Sequence, residues 1–440
     1  MKAMSNDKPQ DVNASCLASI VGEENSVCLW ENTELNRQKI IQQAIASGNL
    51  PSCIVYPQTT EQLAKVIAQA YQNNWRVLPC GNGSKLNWGG LAKDVDVVIS
   101  TERIDKLIEH AVGDLTVTVE AGMKFSKLQE ILAAERQFLA LDPTAPESAT
   151  IGGIVATGDT GSLRQRYGSV RDQLLGITFV RADGQIAKAG GRVVKNVAGY
   201  DLMKLFTGSY GTLGVISQVT FRVYPLPDAS ATVVLTGTPE AVSQAADTLR
   251  ASALTPTQAD LLSSQLVSGL GLDKGVGLIA RFQSINESVK EQSNRLLEVG
   301  QKLGLTGVIY SAADEADLWQ RLREQMYCSP TEAVITCKIG VLPTAAMEVL
   351  TQVEMGLIHM SGGLGILQFD SQMGVEQVLK MRNTLVGFGG FLTVLAAPVA
   401  VKENLDVWGY GGNGLEIMRG IKKQFDPADI LSPRRFVGGI

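Results

Sequence analysis

Glycine constrains this chain more than any other residue type. It supplies 45 of 440 residues, about one in ten where ~7% is usual, and it clusters at 81–90, 152–161, 190–214 and 409–420. Glycine clusters between strand-like segments mark backbone that turns sharply or closes on a ligand. The first cluster has a readable setting. Ile54-Val55-Tyr56 reads as a strand, Thr59 and Gln62 have capping-box spacing, and Leu63, Val66, Ile67 and Ala70 recur at helical intervals. Arg76-Val77-Leu78 is a second strand, followed at once by Cys80-Gly-Asn-Gly-Ser-Lys-Leu-Asn-Trp-Gly-Gly90. This β-α-β order predicts a parallel pair with the loop at a strand's carboxyl end, where α/β folds bind ligands.

Two familiar nucleotide motifs are absent from that loop. Leu86 stands where G-x-G-x-x-G needs its third glycine, and no G-K-[ST] follows a four-residue spacer. The ingredients of an anion cradle are present all the same. Gly81 and Gly83 permit positive φ and so allow backbone N–H groups to converge, while Asn82, Ser84 and Lys85 add side-chain donors. Read alone, the loop suits an anion cradle and an exposed turn equally well.

Composition narrows the class. Apolar residues make up 45% and charged residues 19%, which is ample for a core, and a net charge of -5 lacks the basic excess that nucleic-acid binding requires. No stretch reaches the ~18 apolar residues of a membrane span, and the polar start Met1–Gln10 has no signal-peptide core, so a cytoplasmic protein is expected. None of the six cysteines forms a C-x-x-C pair, and two histidines are too few for a histidine-based metal site.

The pattern divides the chain into an extension at 1–48, a first domain at 49–227, a second at 228–405 and a tail at 406–440. Pro225 and Pro227 mark the main boundary. From 231 to 311 the order β-α-β-β-α-β is the ferredoxin-like pattern, and a similar alternation runs from Leu318 to Pro398. The fold class is therefore α+β, with an antiparallel second domain.

Further glycine motifs follow the first in a fixed order. They are Pro146-Glu-Ser-Ala-Thr-Ile-Gly-Gly-Ile-Val-Ala156, Arg164-Gln-Arg-Tyr-Gly-Ser-Val-Arg-Asp172, Gly190–Leu202 and Leu205–Ile216. Together with the 80–90 loop they resemble the FAD-binding domain of the vanillyl-alcohol oxidase and p-cresol methylhydroxylase type, over about residues 50–227. The tail Phe425-Asp-Pro-Ala-Asp-Ile-Leu-Ser-Pro433 is similar to that group's C-terminal signature. Within the group, Gly191-Arg-Val-Val-Lys-Asn-Val-Ala-Gly-Tyr-Asp201 most resembles the smaller FAD-binding subunit of glycolate oxidase (glycolate dehydrogenase) complexes.

The resemblance implies a two-lobed FAD domain with an α+β cap, and roles for particular residues. Gly81, Asn82, Gly83, Ser84, Lys85 and Leu86 would form the pyrophosphate loop, with Lys85 offsetting charge. Thr150, Gly152 and Gly153 would pack on the dinucleotide, Tyr167, Gly168 and Arg171 would lie near the flavin, and Gly214, Val215 and Ile216 would give close backbone contacts. Lys85 and Leu86 stand where covalent members carry a histidine, so non-covalent FAD is expected. Implied partners are a small 2-hydroxy acid, a larger FAD subunit and an iron–sulfur subunit.

The resemblance implies FAD-dependent oxidation of a small 2-hydroxy acid such as glycolate or D-lactate, by the chain as a subunit of a complex or as a dehydrogenase on its own. A non-catalytic flavin-fold scaffold is the third reading. The oxidation needs a cation for the substrate carboxylate and a base for its hydroxyl proton. The histidine-rich segment of the larger subunits, H-x-G-D-G-N-x-H-like, is missing. His110 and His359 each stand alone and read as structural or exposed. Arg281, within the apolar strand Gly277–Phe282, and Lys338, within Val334–Ile339, are the candidate catalytic residues, each with a solvated-face alternative.

Overall fold

A computed structural model describes residues 12–22, 26–48, 50–191, 199–327, 333–372 and 374–440. Residues 192–198 of the Gly191–Asp201 motif, and Cys328, lie outside the described residues.

The first sheet contains β1 (Val27–Leu29), β2 (Cys53–Val55), β3 (Val77–Cys80) and β4 (Val97–Ser100), in the order β1-β2-β4-β3. β4 runs parallel to both β2 and β3. The two strands expected to pair with each other are thus separated by a third. The intervening helix, Thr60–Gln72, buries Leu63, Val66, Ile67 and Ala70, as the spacing predicts. Thr59 Oγ1 caps it by accepting from the Gln62 amide at 3.2 Å, while Gln62 Oε1 accepts from Gln58 N rather than closing the box on Thr59.

The second sheet is antiparallel and holds β5 (Leu107–Ala111) and β6 (Thr116–Glu120). A short β7 (Gln137–Phe138) stands apart before β8 (Leu174–Val180), β9 (Ile186–Gly190) and β10 (Val215–Arg222) complete the sheet as β5-β6-β10-β8-β9. The two-residue β11 (Tyr224–Pro225) pairs with β7.

All remaining strands enter one antiparallel eight-stranded sheet. These are β12 (Ala229–Gly237), β13 (Gln258–Leu262), β14 (Val276–Ser284), β15 (Thr306–Ser311), β16 (Val334–Gly340), β17 (Met355–His359), β18 (Leu364–Asp370) and β19 (Phe391–Ala396). Their order is β15-β12-β14-β13-β17-β18-β16-β19. Each half places its four strands as fourth, first, third, second, so the cap is a tandem of two ferredoxin-like units joined through β13 and β17. Strand alternation sorts its two faces. Leu278, Ala280 and Phe282 of β14 enter the core beneath the helices Pro239–Ala251, Asn286–Lys302 and Gly374–Gly387. Ile279 faces the other way, beneath Ser264–Gly269 and Ala312–Tyr327, with Trp88 of the glycine loop packed against the same cluster. That second face looks toward the first domain.

The C-terminal segment returns to the first sheet. Val77 N donates to Ile430 O at 2.7 Å and Ser432 N to Val77 O at 2.8 Å, which extends the sheet beyond β3. Asp426 organises this turn. Its carboxylate accepts from Ile430 N, Leu431 N and Lys422 Nζ, and Lys422 also donates to Thr212 O and Leu431 O.

Candidate active site

Where the first two sheets meet the C-terminal segment, a cleft opens. Of the fifteen residues expected around FAD, eleven line it: Gly81, Gly83, Ser84, Lys85, Leu86, Thr150, Gly152, Gly153, Gly214, Val215 and Ile216. Gly81 is obligatory, since a Cβ there would stand 2.1 Å from Thr150 Oγ1, and Gly83 has φ +87°. The loop is held from behind by Arg37 of the helix Leu35–Gln42. Its guanidinium donates to Asn82 O at 2.8 Å and Gly81 O at 3.3 Å and pairs with Glu102 at 3.1 Å. The N-terminal extension, which the sequence left without a role, therefore shapes the glycine loop.

Four expected residues lie outside the cleft. Asn82 turns away, its Nδ2 donating to Ser148 O at 3.2 Å. Tyr167 packs against Phe138 and Tyr224, with ring centroids 5.6 and 4.7 Å away. Gly168 takes φ +79° at the turn between two short helices, and Arg171 is exposed on the second of them. Lys85 needs a different correction. It lines the cleft, but Nζ lies 3.3 Å from Asp159 Oδ2 with both side chains buried, so its charge is already balanced. Among the lining residues that sequence reading missed are Thr101, Ser209, Tyr210, Gly211 and Arg435. Ser209, Tyr210 and Gly211 lie within the Leu205–Ile216 motif, whereas Arg435 reaches the cleft only because the C-terminal segment returns to the first sheet.

Across from this cleft, between the 142–164 region and the inner face of the cap, lie two adjoining cavities that share Tyr327 and His359. His359 ends β17 and is 6% exposed, with Nδ1 2.7 Å from Asp260 Oδ1. Asp260, on the neighbouring β13, also accepts from Ser162 Oγ at 2.7 Å, a bond between the two domains. Nearby, Gln258 Nε2 donates to Asp142 Oδ2 at 3.3 Å. Burial pushes the Asp142 carboxyl up to about 6, against amide bonds from Leu163 and Gly161 that favour its charge. The lone histidine that read as structural is therefore a buried group facing a cavity.

Lys338 and Arg281 both project from this inner face. Arg281 lines the cavity beside Asp260, but Nε lies 3.0 Å from the buried Glu315 and donates to Ser230 Oγ at 2.9 Å. Nη1 reaches Gln258 Oε1 at 3.3 Å. Its charge is spent within the protein, which weakens it as a carboxylate clamp. Lys338 lines a cavity with His359, Arg164, Asp159 and Trp88, and it forms no ion pair among the described residues, the Asp159 carboxylate being held by Lys85 at 3.3 Å. Burial pulls its ammonium below the usual lysine range, Arg164 pulls it further, and Asp159 opposes both. His110, by contrast, is partly exposed and bonded to Gln137 Oε1 at 2.9 Å.

Chemically, the two regions supply an anion-compatible dinucleotide cleft and a small cavity with unpaired positive charge and an imidazole. The cleft fits FAD by its glycine contour and by Ser209 Oγ, buried on its wall without a hydrogen-bond partner.

Comparison with known proteins agrees with that fit. Residues 51–190 match the FAD binding domain model, and residues 407–436 match the C-terminal domain model of FAD linked oxidases. The mitochondrial D-lactate dehydrogenase [cytochrome] of Arabidopsis thaliana is 26% identical over 429 residues, covering 88% of this chain and 74% of that protein. Glycolate oxidase subunit GlcD of Bacillus subtilis (strain 168) is 22% identical, covering 88% of both. Among solved structures, p-cresol methylhydroxylase with substrate bound superposes with a TM-score of 0.75 at 16% identity, over 96% of this chain and 95% of that one. Alkyldihydroxyacetonephosphate synthase gives 0.67 at 20% identity, over 88% and 78%.

Proposed function

We propose that this chain, an FAD-dependent oxidoreductase of the FAD-linked oxidase family, oxidises a small 2-hydroxy acid in the cavity between its cap and its FAD domain. The observation that carries the reading is the pairing of Lys338, a cation without a counter-ion among the described residues, with His359 in one buried cavity. Relatives named as D-lactate dehydrogenases and as a glycolate oxidase subunit support the substrate class.

Bound FAD supplies the hydride acceptor. Lys338, with Arg164 beside it, receives the substrate carboxylate by charge-assisted hydrogen bonds. Asp260 accepts from His359 Nδ1–H, which leaves the Nε2 lone pair to take the hydroxyl proton. Trp88, Ile366 and Leu395 wall the cavity and keep bulk water from the reacting carbon.

In this reading the chain serves as the smaller FAD-binding subunit of a glycolate oxidase-type complex. The resemblance of Gly191–Asp201 supports that place, and the absence of any C-x-x-C pair leaves iron–sulfur chemistry to another subunit. A carboxylate-dependence experiment tests the substrate assignment. D-lactate and its methyl ester are compared as reductants of the protein-bound flavin under anaerobic conditions. Reduction by the acid and not by the ester is expected; equal rates would remove Lys338 from substrate binding.

A further inference from the structure

We infer that Arg435 supplies the positive charge that receives the anionic pyrophosphate of FAD, so that the dinucleotide's counter-charge comes from the C-terminal segment. Lys85 and Arg435 are the two cations lining the cleft. Lys85 is balanced by Asp159. Arg435 is 3% exposed and has no carboxylate within ion-pair reach among the described residues. Its Nη1 donates to Ala44 O at 3.4 Å, and Nη2 donates to Leu86 O at 2.8 Å and Trp88 O at 3.1 Å.

Those three carbonyls satisfy part of a guanidinium that has five N–H donors. They are dipoles, and they do not cancel a full charge. An uncompensated buried cation is expensive, and burial pulls this one down to about 10 although Tyr210 and Cys80 oppose it. The glycine loop contributes backbone N–H groups, which direct an anion but bring no net charge. A cleft with surplus positive charge, and with Ser209 Oγ unpartnered on its wall, is complementary to a doubly charged diphosphate.

Ligand binding to the apoprotein tests this without reference to substrate turnover, so its failure leaves the hydroxy-acid reading standing. FAD, ADP and riboflavin are titrated into wild type, Arg435→Met and Arg435→Lys, with affinities read by calorimetry and flavin fluorescence. Arg435→Met is expected to weaken FAD and ADP by about 10- to 100-fold, to leave riboflavin unchanged, and to be partly rescued in Arg435→Lys. An equal loss for riboflavin would make Arg435 a structural staple and overturn the inference, as would unchanged FAD affinity. Should the variants fail to fold, the wild-type apoprotein decides. Inorganic pyrophosphate alone is expected to raise its melting temperature, and no rise would overturn the assignment.

Discussion

His110 and His359 each stand alone in the sequence, and their fates differ. His110 meets Gln137 at the protein's edge, whereas His359 is buried against Asp260 on a strand that joins it only through sheet pairing. A signal did exist in β13, where Gln258 and Asp260 place two polar groups in a strand that is buried throughout. Polar residues at alternate positions of such a strand mark a face that meets something other than core. Arg281 belongs to the same row, and its carboxylate partner, Glu315, arrives from a helix that local sequence does not orient. Two kinetic outcomes follow at this scale. His359→Gln is expected to slow anaerobic flavin reduction by about 100-fold or more while FAD stays bound, measured by stopped-flow absorbance. Lys338→Met is expected mainly to raise KM for the hydroxy acid, because the carboxylate contact is made in both ground and transition states.

Among the elements, the C-terminal turn was visible as a motif but not as a mechanism. Asp426 stands at the centre of it, holding Lys422 at 2.6 Å and two backbone amides while the chain is drawn into register with β3. Asp426→Ala would leave Lys422 buried with one exposed carboxylate, Asp429, and is expected to cost about 3 kcal/mol in a denaturant titration. The helix Val399–Asn404 presents a pH effect. Burial pulls Lys402 from the usual lysine value of 10.5 down to about 7. The unfolded chain therefore binds more protons than the folded one between about pH 7 and 10.5, and stability rises with pH across that window. The penalty is fully present below pH 7. Melting curves of the wild type should show this rise, at no more than about 1.4 kcal/mol per pH unit, and Lys402→Met should flatten it. An unchanged slope in the variant would show that Lys402 is not its source. The helix Leu35–Gln42 teaches a related lesson. Its weak periodicity concealed Arg37, whose function lies in the loop it props and not in the helix that carries it.

For the molecule as a whole, the resemblance carried by the ordered glycine motifs predicted an FAD domain, and the repeated β-α-β-β-α-β pattern predicted an antiparallel cap beside it. The joining of two such units into one eight-stranded sheet was not, since the β13–β17 edge pairing has no local signature. That joint matters for the chemistry, because it places Asp260 of one unit against His359 of the other, and Ser162 of the FAD domain bonds to the same carboxylate. The cavity is thus assembled from three parts of the chain that only the complete fold unites. The central claim is that a 2-hydroxy acid held in this cavity reduces the flavin of this chain without help from another subunit. Its most direct test is anaerobic titration of the isolated chain, reconstituted with FAD, with glycolate and D-lactate while the flavin absorbance is followed. Bleaching of the flavin by at least one of these acids, and loss of that bleaching in His359→Gln, is the predicted result. A flavin that stays oxidised with the chain alone, and bleaches only when a larger flavin subunit is added, would contradict it.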